Sequence, residues 1–160
     1  MSDLYQFHAH LELQHIFLEA HAERFHYLST FFEGYYCYRY RLVTRQGKAD
    51  WTQIFEHGVR SKAASQIADR KQLVREPRLP FAVLTGKLKE LVRDDELNLE
   101  SLQSLLDEHL EYTVLTREEF QKLKAAGLTE RMPADYYRPA SADYQNTDTR
   151  FEAVGIKLLA

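Results

Sequence analysis

Histidines and carboxylates crowd the start of the chain. Five of the seven histidines lie in the first 26 residues, and His8, Glu12, His15, Glu19 and then Glu23 or His26 step by three and four. That spacing lines one stripe of a helix with imidazole and carboxylate, both ligands for zinc, iron and manganese. Glu12-x-x-His15 and Glu23-x-x-His26 each have the i, i+3 separation used in di-iron helical bundles. Such a centre gathers ligands from several helices. The later chain offers His57 and His109 with Glu56, Glu108 and Glu111, but no further Glu-x-x-His. A half-exposed ladder of His–Glu pairs explains the stripe without a metal, so neither metal nor other cofactor is expected. A metal-dependent bundle enzyme built on Glu12 and His15 is the third-ranked reading.

Nucleophilic chemistry finds less support. Cys37, the single cysteine, sits among tyrosines with no activating base in view, as a packed small apolar residue would. Ser29, Ser61, Ser65, Ser101, Ser104 and Ser141 lack a Gly-x-Ser-x-Gly context, and no glycine-rich phosphate loop is present. Asp94-Asp95 and Glu118-Glu119 read as turn and first-turn charges. No catalytic residue emerges, and the expectation is a protein that is not an enzyme.

The charge pattern is more informative. The net charge of −3 resolves into −4 over residues 1–38, +8 over 39–93 and −7 over 94–160. Within the central block Arg39, Arg41 and Arg45 interleave with or follow Tyr36, Tyr38 and Tyr40, a mixture suited to stacking on unpaired bases beside phosphate contacts. Arg60, Lys62, Arg70, Lys71 and Arg75 fall off the apolar stripe of the next segment, and Arg78, Lys87, Lys89 and Arg93 extend the charge. On adjacent helices they would form a cationic surface attractive to nucleic acid. The plainer explanation is a solvated face, or pairing with the acidic segments of the same fold.

The elements that must position these groups are mostly helical. Leu4, Leu11, Leu18, Phe25 and Phe32 recur every seven residues, with Phe7 and Leu28 in the companion row, so residues 4–32 read as one long helix stopped at Gly34. Its heptad-like seam also allows a homodimer. Residues 35–43 alternate tyrosine and arginine and read as a strand, with a helix continuing through Gly34 as the alternative. Trp51, Phe55, Val59, Ala63 and Ile67 form an i, i+4 stripe behind Asp50 as N-cap, predicting a helix to about Arg75 that Pro77 and Pro80 end. Phe81–Val92 and Leu102–Leu110 give two more helices around the turn Asp94-Asp95-Glu96. Tyr112–Leu115 is a short strand, and Thr116 with Glu119 makes a capping box for a helix that Gly127 closes. Residues 129–150 lack periodicity and read as extended or mobile. Phe151–Ala160 reads as a strand or docking turn.

At 160 residues, 44% hydrophobic and 28% charged, the chain suits one folded domain. One cysteine rules out a disulfide framework, and no apolar run approaches a membrane span. The start has no basic segment followed by an apolar one, so no signal peptide and a cytoplasmic location are expected. The fold class is mainly α: a single-domain helical bundle of about five helices with a long N-terminal helix and minor short β elements. The helical domain covers 1–128, and an extended C-terminal segment, 129–160, docks on it or extends from it. The leading functional reading is a small non-enzymatic accessory protein of bacterial type, contacting nucleic acid through residues 39–93. The second is a protein-binding adaptor or inhibitor that uses the acidic and tyrosine-rich segments.

Overall fold

The structure, a computed structural model, describes residues 3–159. In chain order it contains α1 (Leu4–His21), α2 (Leu28–Arg39), α3 (Ile54–His57), β1 (Val59–Arg60), β2 (Leu73–Pro77), α4 (Phe81–Arg93), α5 (Leu99–His109), β3 (Tyr112–Thr116), α6 (Arg117–Ala125) and α7 (Thr149–Ala153), with short 3-10 turns between them. The class is mainly α with one small three-stranded sheet. The chain partitions into two compact units. Unit 1 runs to Ile54 and adds Leu84–Leu110; unit 2 holds Phe55–Val83 and the chain from Glu111 onward.

In unit 1, Asp3 caps α1 by accepting from the Tyr5 and Gln6 amides. The single helix expected over 4–32 is in fact two helices. The Glu23 backbone enters the left-handed region at φ 58°, and the Arg24 amide turns back to the Glu19 carbonyl at 2.8 Å, which closes α1. A helical hairpin results. Its partner α2 runs through Gly34 to Arg39, so residues 35–39 are helical rather than the expected strand. Gly34 permits this approach: a Cβ there would stand 2.7 Å from a Glu12 carboxylate oxygen on α1. The buried face of α1 is Ala9, Leu13, Ile16 and Ala20. The seven-residue seam is elsewhere, because Leu4, Phe7 and Leu18 are each more than half exposed. Small alanines alternating with Leu13 and Ile16 let the hairpin close tightly, and that requirement outweighed the larger leucines. Leu28, Phe32, Tyr35, Tyr36 and Cys37 of α2, Leu84 and Leu88 of α4, and Leu102 and Leu106 of α5 are also buried, as are Leu42, Ile54 and Leu110. Burial pushes the Cys37 thiol up to about 11, which leaves it unreactive at neutral pH.

The helix expected over 51–75 does not form. Asp50 does cap, but only a 3-10 turn, Trp51–Gln53, that leads into α3. Beyond it the chain pairs with β3 instead. The sheet order is β1-β3-β2, with β1 parallel to β3 and β2 antiparallel to it, in register from Leu73 opposite Thr116 to Pro77 opposite Tyr112. All five residues of β3 are buried, and its partners lie some forty residues earlier, beyond the reach of a local periodicity argument.

Unit 2 is fastened at both ends of α6. Thr116 Oγ1 accepts from the Glu119 amide and Glu119 Oε1 accepts from the Thr116 amide, each at 3.0 Å, the capping box written in the sequence. Glu119 also accepts from the buried Ser61 hydroxyl at 2.6 Å, which ties the helix to the chain just after β1. Gly127 closes α6 at φ 70°. Glu119→Ala leaves two buried donors without an acceptor and is expected to cost about 2–3 kcal/mol by denaturant unfolding, with Glu119→Gln recovering part of the loss.

Residues 129–148 are irregular apart from the 3-10 turn Ala134–Tyr137. α7 (Thr149–Ala153) is helical in place of the strand or docking turn expected over Phe151–Ala160, where an isolated bridge joins Leu158 to Ser61. The segment is pinned by burial. Met132 and Tyr136 pack with Leu79, and Phe151 with Leu115, Leu123 and Ile156. Between them Arg150 is wholly buried. Its guanidinium donates to the Leu128 carbonyl at 2.8 Å and to the Pro77 carbonyl at 2.5 Å, and stands 3.9 Å from the Glu76 carboxylate.

Candidate functional site

The hairpin of unit 1 brings two of the basic residues singled out in the sequence together with one of the tyrosines. Tyr38, Arg39 and Arg41 line a cavity of about 380 Å³ whose wall also includes Asp3, Tyr5, Gln6 and His10, Tyr35 of α2, and Gln103 of α5. That is the lower part of the range for small-ligand sites. Each guanidinium is held by a carboxylate. Arg39 meets Asp107 at 2.7 Å, and the same carboxylate accepts from the Tyr35 hydroxyl at 2.5 Å. Arg41 pairs with Asp3, and its guanidinium stacks over the Tyr5 ring, 5.1 Å from the centroid. Burial and the Asp107 hydrogen bond drive the Tyr35 phenol far above its ordinary range, so it stays a protonated donor.

Arg41 occupies an unusual backbone position. It follows Tyr40, the C-cap of α2, at φ 59°, with the Leu42 amide bonded to the Cys37 carbonyl at 2.8 Å. Glycine is the usual occupant of this place, since a left-handed side-chain-bearing residue costs about 1 kcal/mol. The position aims a guanidinium at the cavity mouth, where its side chain is 62% exposed.

The remaining basic residues do not extend this site. Tyr36 is in the core, and Tyr40 lies outside beneath the Arg39 guanidinium, 5.0 Å from its centroid. Arg45 is exposed in the following turn and does not line the cavity. Lys89 covers the Phe25 ring, Lys87 is half-buried near His109, and Arg93 pairs with Asp94. The other six belong to unit 2. Arg60 donates to the Phe55 carbonyl, Arg70 covers the Phe55 ring, and Arg75 is half-buried with Tyr112 as partner. Arg78 is gripped by Asp148 at 2.7 and 2.8 Å and by Glu111 at 3.2 Å. Lys62 and Lys71 are exposed. The continuous cationic helix face expected over Arg60–Arg75 is absent because that segment is strand and turn. Within the basic block, Arg39, Arg41, Arg78 and Arg93 are each paired with carboxylates from outside it.

The N-terminal His/Glu stripe is engaged with α2. His15 stacks on Phe31 at 5.2 Å, His8 lies 5.1 Å from Tyr38, and Glu12 sits against Gly34 with its pKa raised by burial. Among the described residues no group of three or more His, Cys, Asp or Glu is arranged to hold a metal ion. No helix among them is long and apolar enough to cross a membrane.

Sequence reasoning had no means of nominating Tyr5, Gln6, His10 or Gln103 as cavity residues. Each is an unremarkable helix residue until α1, α2 and α5 are packed. The one local clue was Asp3, which both caps α1 and receives Arg41. Comparison of the chain with protein-family models, with curated proteins and with solved structures finds no match.

Proposed function

We propose that this protein is a non-enzymatic binding protein that takes an unpaired nucleotide segment of nucleic acid into the Tyr–Arg cavity of unit 1. The carrying observation is the convergence of Tyr5, Tyr38, Arg39 and Arg41 on one cavity of about 380 Å³. Phenol faces and guanidinium planes stack on bases irrespective of sequence, and the exposed Arg41 meets phosphate. The carboxylates of Asp107 and Asp3 fix the two guanidinium groups in advance, which lowers the ordering cost on binding. A left-handed Arg41, kept where glycine would be easier, is the kind of local strain that binding sites retain.

The interface is small, so its salt dependence is small. Two arginines meeting a single strand imply a log–log salt slope of about −1.4, far below that of a cationic track. Fluorescence anisotropy with labelled single-stranded and duplex DNA and RNA across a salt series measures it. Single strands are expected to bind saturably and duplexes weakly. Arg41→Gly is expected to abolish binding while folding stability stays level or rises by up to about 1 kcal/mol. Neutralising Lys62 and Lys71 together is expected to leave binding unchanged. Absence of saturable binding at low salt, or binding indifferent to Arg41→Gly, ends this reading.

A further inference from the structure

α1 carries two apolar faces, and only one of them is used by unit 1. Opposite Ala9, Leu13, Ile16 and Ala20 stand Leu4, Phe7 and Leu18, exposed by 58%, 56% and 63%, with Leu11 half-buried between them. At 100° per residue these four share a stripe about 60° wide that follows the seven-residue repeat along the length of the helix. Of the flanking positions, Gln14 and His21 are exposed, His8 and His15 lie against Tyr38 and Phe31 of α2, and His10 lines the cavity. Half of the helix circumference therefore holds no Asp, Glu, Lys or Arg; Glu12 and Glu19 lie on the side turned towards α2.

We infer that this face is where a second copy of the same chain packs. An apolar seam with a heptad repeat and no formal charge meets itself without repulsion at neutral pH, whereas a strongly acidic or basic partner finds nothing there to pair with. Gln14 falls within the seam at a row otherwise apolar. A single amide there supplies a donor and an acceptor to its counterpart and fixes register in paired helices. The area also suits self-association. The four side chains expose on the order of 300–400 Å² of apolar surface, the size of the largest patch on a typical monomer and one that often serves binding. Two copies with their flanking imidazole and amide groups approach the roughly 1,000 Å² at which specific interfaces begin. The contact is isologous, the same patch on both copies, and it is expected to be reversible rather than obligate.

The test is sedimentation of the full chain over a concentration series at neutral pH. The wild type is expected to show a reversible monomer–dimer equilibrium, and Leu18→Glu and Phe7→Glu each to raise the dissociation constant by about tenfold or more. Both residues are exposed, so circular dichroism should remain that of the wild type. Tyr144→Glu, at an exposed aromatic site in unit 2, should leave the equilibrium unchanged. Neither Phe7 nor Leu18 lines the cavity, so their variants should keep any nucleic-acid affinity measured at monomeric concentrations. A chain that is monomeric at every concentration, its α1 face then open to a different protein or a lipid surface, overturns the inference. So does a dimer that Leu18→Glu and Phe7→Glu leave intact.

Discussion

Arg150→Met should lower the stability of the fold by about 3–5 kcal/mol, the scale for removing one partner of a buried ionic contact. Methionine fills much the same volume but cannot donate to the Leu128 and Pro77 carbonyls, which the guanidinium reaches at 2.8 and 2.5 Å. It also strips the buried Glu76 carboxylate of the cation beside it. Arg150 links three stretches of chain distant in sequence through the planar donor fork of its guanidinium. Arg150→Lys should therefore fall well short of wild type, because one ammonium cannot span both carbonyls. Urea unfolding followed by circular dichroism measures all three proteins. A loss below about 1 kcal/mol for Arg150→Met would mean that the guanidinium is dispensable packing, contrary to its role here.

Glu76 should give unit 2 an unusual pH response. The residue is 8% exposed, and burial raises its pKa from 4.5 to about 7, with Arg150 opposing the rise. The folded state thus holds a proton that the unfolded state releases near 4.5. The resulting stability is complete below that value and is lost as pH rises through about 7, a decline of roughly 3 kcal/mol at most. His109 works in the other direction: burial and Lys87 lower its pKa, so its contribution grows as pH rises through the histidine range. Comparing wild type with Glu76→Gln at each pH isolates the carboxyl. Between pH 5 and 8 the difference should move steadily against the wild type. A constant difference would show that Glu76 titrates as an ordinary exposed glutamate.

The sequence disclosed those features whose cause is local. Thr116 and Glu119 sit three apart and cap each other, and Gly127 follows the last turn of α6; Pro77, read as the stop of a helix, instead ends β2. The end of α1 had no such mark, because its left-handed position is filled by Glu23 rather than glycine. The leucine repeat and the Trp51–Ile67 stripe misled for a shared reason. Apolar spacing records that residues could lie on one face, not which surface will cover that face. β1 is two residues long and exists only through β3. The candidate site was half legible: Tyr38, Arg39 and Arg41 are neighbours in sequence, whereas Tyr5, His10 and Gln103 reach them through helix packing alone.

The interleaving of the two units bears on how the polypeptide is made. The chain crosses from one unit to the other after Ile54, after Val83 and after Leu110. A ribosome releasing the first 54 residues delivers the α1–α2 hairpin but neither α5 nor the cations of α4, so unit 1 stays unfinished until about twice that length has emerged. Unit 2 waits longer still, since Arg150 is made some forty residues after unit 1 is complete. A single cut inside residues 55–110 therefore leaves neither unit whole in one fragment, whereas a cut after Ile54 keeps unit 2 together and a cut after Leu110 keeps unit 1 together.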